Sequence, residues 1–211
     1  MPGIYPLELE IRARKKDGSR RIRGRFPYKK RAILDAGGKG RRPKKEEFAP
    51  KAFEYAVQAP EREVHLLVGH SFDKPLASKK AKTLAFSDTS EALTFEAVLT
   101  PQIQRTTWAQ DFMAQSEAGL VGGISPGFRV APPEVVELPE QTTEENPREG
   151  HALIRTIFHA ILFELSLVTR PAYDETEAEL EDEDDDEEEE RSAGGIILPR
   201  RRIIHASGRW R

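Results

Sequence analysis

The chain has 211 residues, a formal charge of −3 and no cysteine. That is room for one domain of ordinary size with tails, and it excludes disulfides, thiolate catalysis and cysteine-held metals. The near-neutral total hides blocks: residues 1–50 carry a net +10, residues 51–173 a net −5, residues 174–190 fourteen acids and no base, and residues 191–211 six arginines and no acid.

In chain order, LELEIRAR (7–14) alternates apolar and charged residues, the period of a half-buried strand. KDGSR reads as a turn and RIRGRFP as a second strand, predicting a hairpin. Residues 35–47 form a basic, Gly/Pro-rich loop, and 48–58 a short helix with Phe53 and Val57 on one face. VHLLVGH (64–70), TLAFSD and ALTFEAVLT read as strands. TTWAQDFMAQSEAG reads as a helix capped by Thr107 with Gln110 and stopped by Gly119. VGGISPGFRV (121–130) is a strand, 132–150 a polar, mobile loop, and about 154–168 one last long strand. The acidic run 174–190 cannot form a core and reads as disordered, followed by a basic tail, 191–211. No signal-peptide pattern opens the chain, and its longest apolar run, 157–168, is too short for a bilayer and contains Glu164. The expectation is a soluble cytoplasmic protein without membrane contact, of α+β class, with a mostly antiparallel sheet or closed barrel at its centre and a few flanking helices.

Three polar groups stand out. On the strand at 121–130, Ile124, Phe128 and Val130 point one way, and Gly123, Ser125, Gly127 and Arg129 the other. Glycines beside a serine open a slot where a substrate backbone can lie, or mark an edge or bulge. His70 ends an apolar strand, a place for a general base or a plain turn histidine. Glu164 sits inside an apolar strand, where a carboxylate needs a partner: a structural arginine, or an imidazolium that it stabilises. Ser166 shares its face. The remaining histidines lack metal-ligand spacing, so no metal is expected.

Taken together, these segments resemble the prohead (head maturation) proteases of tailed bacteriophages, a family distantly related in fold to the herpesvirus capsid assembly protease, assemblin. The resemblance covers roughly residues 7–173. It rests on EFAPKAF, on GHSFDKPLAS, on GGISPGF with its Ser-x-Gly-Phe strand, and on FELSLVTRPAYDETEAE with its Glu-x-Ser-x-Val-x-x-Pro-Ala close. It implies an assemblin-like serine protease domain over 1–173, followed by the acidic linker and the basic tail. Ser125 is then the nucleophile, His70 the base and Glu164 the third member of the triad.

Further implications are acyl-enzyme chemistry without a cofactor, and substrates that are the major capsid protein with its scaffolding segment, a scaffold protein and the protease itself. The setting is the prohead interior in the host cytoplasm. A non-catalytic capsid-assembly module of the same fold is the alternative. Gly69, Ser71 and Pro126 depart from the family's usual residues. Pro126 has no N–H to offer an oxyanion, which leaves the Ser125 or Gly127 amide, a water or Arg129, with Gly123, Gly127 and Arg129 as oxyanion or substrate-binding candidates. The basic N-terminal block suits nucleic acid by charge, but before Phe48 it offers for stacking only Tyr5, Phe26 and Tyr28, which argues against that partner.

Overall fold

The structure, a computed structural model, describes residues 10–12 and 18–171. Its strands are β1 (Glu10–Arg12), β2 (Arg20–Pro27), β3 (Ala32–Asp35), β4 (Lys44–Phe48), β5 (His65–Val68), β6 (Ser71–Ser78), β7 (Leu84–Asp88), β8 (Ala92–Leu99), β9 (Gly123–Val130), β10 (Glu140–Glu144), β11 (Leu153–Ile157) and β12 (Ala160–Val168). The α-helices are α1 (Glu54–Gln58) and α2 (Thr107–Glu117). They form three four-stranded sheets, ordered β1-β2-β8-β7, β10-β11-β4-β3 and β6-β5-β12-β9. The α+β, sheet-rich class holds, as separate sheets rather than a closed barrel. The acidic linker and the basic tail lie outside the described residues.

The core sits where the sheets meet. Phe26 of β2, Phe48 of β4 and Phe53, just before α1, are fully buried. Phe48 meets Phe53 at 4.8 Å and Phe128 of β9 at 4.9 Å between ring centroids. One aromatic cluster thus ties a strand of each sheet to α1, each ring contributing about 1.5–3 kcal/mol by burial. Strand β8, expected as a strand, alternates buried and partly exposed residues from Leu93 on.

Several elements differ from expectation for identifiable reasons. The predicted helix at 48–58 shrinks to Glu54–Gln58, because Phe48 belongs to β4 and Lys51 takes a left-handed turn (φ 61°). The charged KKEEF is a strand, pairing β11 in parallel and β3 antiparallel. The loop at 132–150 contains β10. The single strand at 154–168 is two, because the Phe158 and His159 amides both turn to the Pro139 carbonyl and leave the ladder. Helix α2 begins one residue earlier in its cap: Thr106 is the N-cap, and its hydroxyl donates back to the Ile103 carbonyl instead of capping. Its end is as predicted. Gly119 (φ 70°) donates to Ser116, and Leu120 to Gln115, which is a Schellman close. The first hairpin forms, with Ile11 opposite Ile22.

Candidate active site

Strand β12 changes phase midway. Ala160 and Leu162 face the core before the change, and Leu165 and Leu167 after it. The register slip between Leu162 and Glu164 makes this possible, leaving Phe163 as the extra residue of a β-bulge. Without the slip, Glu164 would share the core face of Leu162. With it, Glu164 and Ser166 point out of the core beside β9, although both stay buried.

His70 is delivered by a turn rather than by the strand itself. Val68 pairs with Ser71, so Gly69 and His70 form a two-residue hairpin loop. Both have positive φ, 60° and 59°, as a type I′ turn requires. The left-handed form costs a non-glycine residue about 1–2 kcal/mol. Two bonds to β12 hold the turn: the Gly69 amide donates to the Leu167 carbonyl at 3.0 Å, and the His70 amide to Ser166 Oγ at 2.9 Å.

His70 Nδ1 lies 2.8 Å from Glu164 Oε1. Ser166 Oγ donates to Glu164 Oε2 at 2.6 Å. Among the described residues no arginine or lysine pairs with Glu164, so the structural-arginine reading has no counterpart. An ionised carboxylate only accepts, so Nδ1 carries the proton and Nε2 is left with its lone pair. The imidazole is about half exposed (48%), while the carboxylate beneath it is 5% exposed.

Gly127 explains itself here. A Cβ on it would lie 2.0 Å from Glu164 Oε1. Its missing side chain makes room for the carboxylate.

Ser125 is the register partner of Ser166 across β9 and β12, and Gly127 that of Glu164. The predicted faces of β9 hold: Ile124 is buried in the core and Arg129 is exposed. The structure therefore brings His70, Glu164 and Ser166 into contact and sets Ser125 on the neighbouring strand, opposite Ser166. Among the described residues the Ser125 hydroxyl makes no hydrogen bond; catalytic hydrogen bonds are often long before substrate is bound.

Gly123 pairs with Val168. The Arg129 guanidinium stands over the Phe163 ring, 5.6 Å from its centroid. Leu167 spends its carbonyl on Gly69, and Val168 its carbonyl on Gly122. Ladder alternation then turns the amides of Ser125 and Gly127 toward β12. Arg129 is exposed on Ser125's face of β9.

Sequence reasoning passed over the left-handed turn and gave Ser166 only a general place in the cluster. The signal for the turn was Gly-His between two apolar-rich strands, since histidine is enriched among non-glycine residues at positive φ. His65 packs edge-on against Phe72 at 5.8 Å, outside the His70 cluster, and His159 sits in the break between β11 and β12. No three His, Asp or Glu side chains among the described residues are grouped to hold a metal ion, and no helix among them is long and apolar enough to cross a membrane.

The sequence profile of the caudovirus prohead serine proteases matches residues 33–190. No curated protein and no solved structure matches the chain, so nothing in these comparisons adds a relation to the herpesvirus protease. The profile spans well over half the sequence and includes all three polar groups of the site. The chain therefore belongs to the caudovirus prohead serine protease family, serine proteases that act on capsid or scaffold proteins within the prohead, in the host cell.

Proposed function

We propose that the protein is the head-maturation endopeptidase that cuts the major capsid protein's scaffolding segment, or a separate scaffold protein, and also cuts itself, with Ser125 as nucleophile, His70 as base and Glu164 as the third member of a triad. The observation that carries this reading is the 2.8 Å contact between His70 Nδ1 and Glu164 Oε1, beside the strand that bears Ser125. It supports an imidazole held in one tautomer with Nε2 available.

In the reaction, Nε2 takes the Ser125 proton as Oγ adds to the peptide carbonyl. His70 then returns that proton to the leaving amine, and water, deprotonated by the same nitrogen, releases the acyl group. Glu164 balances the imidazolium through both proton transfers. Arg129, on Ser125's face of β9, is the candidate side chain for the oxyanion or the substrate backbone, since Pro126 has no amide hydrogen. An open cleft of about 310 Å³ beside Gly69, floored by Val68, Phe112, Val121 and Leu167, supports an apolar side chain flanking the cut.

The domain reading is that 1–173 suffices for catalysis, while the acidic and basic tail segments serve recruitment into the assembling shell and are released by self-cleavage near Tyr173.

The test is coexpression with the cognate capsid and scaffold proteins, with mass spectrometry of the products. The expected result is discrete cleavage of capsid or scaffold protein and of the protease tail, all absent in Ser125→Ala. Wild-type processing by Ser125→Ala would remove the nucleophile assignment. A wild-type chain that assembles with capsid protein but cuts nothing would leave the non-catalytic assembly module.

A further inference from the structure

We infer that Ser166 is a positioning residue that locks the catalytic histidine, acting through a closed ring of hydrogen bonds. This rests on the reading of His70 as the base.

The ring has three bonds and one possible direction. The His70 backbone N–H can only donate, and it reaches Ser166 Oγ at 2.9 Å. The Ser166 hydroxyl has taken that hydrogen bond as acceptor, and donates its own proton to Glu164 Oε2 at 2.6 Å. The other carboxylate oxygen, Oε1, receives the Nδ1–H of the same histidine at 2.8 Å. Main chain and side chain of His70 are thereby tied to the two ends of one Glu-x-Ser segment.

Three features make this more than a satisfied buried serine. Ser166 is fully buried, so it cannot touch substrate and can act only through its neighbours. His70 holds a left-handed backbone, which in this place is retained by the bonds to β12. The loop that bears it has only Gly69 as its other member, and that residue is anchored on Leu167, next to Ser166. Removing the hydroxyl frees the His70 amide and leaves Glu164 Oε2 without its donor. The ring nitrogen that accepts the Ser125 proton then loses its fixed aim.

The test uses the full chain with capsid protein as substrate, measuring kcat and KM separately, together with labelling of Ser125 by a fluorophosphonate read by mass spectrometry. Ser166→Ala should lower kcat and the labelling rate about 10- to 100-fold, with KM nearly unchanged, the scale expected from a misaimed catalytic group. Ser166→Thr, which restores the hydroxyl, should recover most of the loss. In a Glu164→Gln background the Ser166→Ala change should cost far less than it does alone, because both act on the same imidazole; this comparison holds even if the threonine variant fails to fold.

Wild-type rates in Ser166→Ala would overturn the inference, and so would an undiminished loss in the Glu164→Gln background. Those failures would leave Ser125 labelled and His70-dependent. Failure of the underlying reading looks different: the wild-type chain would not be labelled at Ser125 at all.

Discussion

Among the described residues, two of the three sheets bury carboxylates, and they answer them in opposite ways. In the sheet β10-β11-β4-β3, Glu46 of β4 meets Arg155 at 3.1 Å, and Glu145, just past β10, meets Lys45 at 2.5 Å with Arg31 at 3.6 Å. In the sheet β6-β5-β12-β9, Glu164 meets a neutral hydroxyl and an imidazole. Permanent cations make the first set a fixed feature of the fold. The second set has its countercharge only when His70 is protonated, which is the moment a general base creates in its transition state. A buried carboxylate whose partner is charged only part of the time is weak as structure and useful as chemistry. The difference is visible in burial as well: among the described residues, nothing in the first sheet pairs a half-exposed imidazole with a buried acid.

The comparison breaks most clearly at the proposed nucleophile. Ser125→Ala should fold as the wild type and lose at least about 10⁴-fold in cleavage rate. Near-normal cleavage of capsid protein would end the assignment. His70→Ala should be similarly inactive, whereas His159→Ala, outside the ring, should keep substantial activity. Glu164→Gln keeps the shape but not the charge, and should cost about 10- to 10⁴-fold in kcat. If it lowered the melting temperature and left kcat alone, Glu164 would belong with Glu46 and Glu145.

Gly127→Ala sharpens the same point without touching a polar group. The new Cβ would overlap the Glu164 carboxylate and push it off His70. A displacement of that size should cost about 10²-fold in kcat. An active, fully stable Gly127→Ala would show that the carboxylate need not sit where it does.

The smallest catalytic effect belongs to the other sheet. Lys45→Met should leave kcat within about twofold, since Lys45 lies outside the site. It should change the acid side of the stability curve. The Lys45 hydrogen bond holds the Glu145 carboxyl below its ordinary 4.5. A depressed folded-state value gives stability above the unfolded value, lost as pH falls through the folded one. Thermal melts of the wild type should therefore drop on acidification below about pH 4.5, and those of Lys45→Met should drop less. Identical acid profiles would mean that Arg31 and the Ala152 amide suffice.

What the sequence made legible was the period-2 geometry and the cost of isolated charge. The face of β9 bearing Ser125 and Gly127 followed from alternation, and Glu164 from the expense of a carboxylate in FEL. Strand β4 stayed hidden because KKEEF looks like loop by hydropathy; its charges are satisfied across strands by Arg31, Arg155 and Glu145, partners distant in the chain. The bulge at Phe163 was invisible for a related reason. A phase change in an almost wholly apolar strand leaves no mark in its hydropathy, and only the positions of Leu162 and Leu165 in the core reveal it. The turn at His70 escaped because Gly-His is not the usual Asn-Gly of a type I′ loop. The split between β11 and β12 depends on the Pro139 carbonyl, which no local pattern near 158 announces.

The central claim is that His70, aimed by Glu164, activates Ser125. The most direct measurement is the rate of fluorophosphonate labelling of the intact protein, with the labelled residue mapped by mass spectrometry in wild type, His70→Ala and Glu164→Gln. The account predicts a single labelled serine, Ser125, with labelling nearly abolished in His70→Ala and strongly slowed in Glu164→Gln. Label on another serine, or labelling of Ser125 at the same rate in all three proteins, would contradict it.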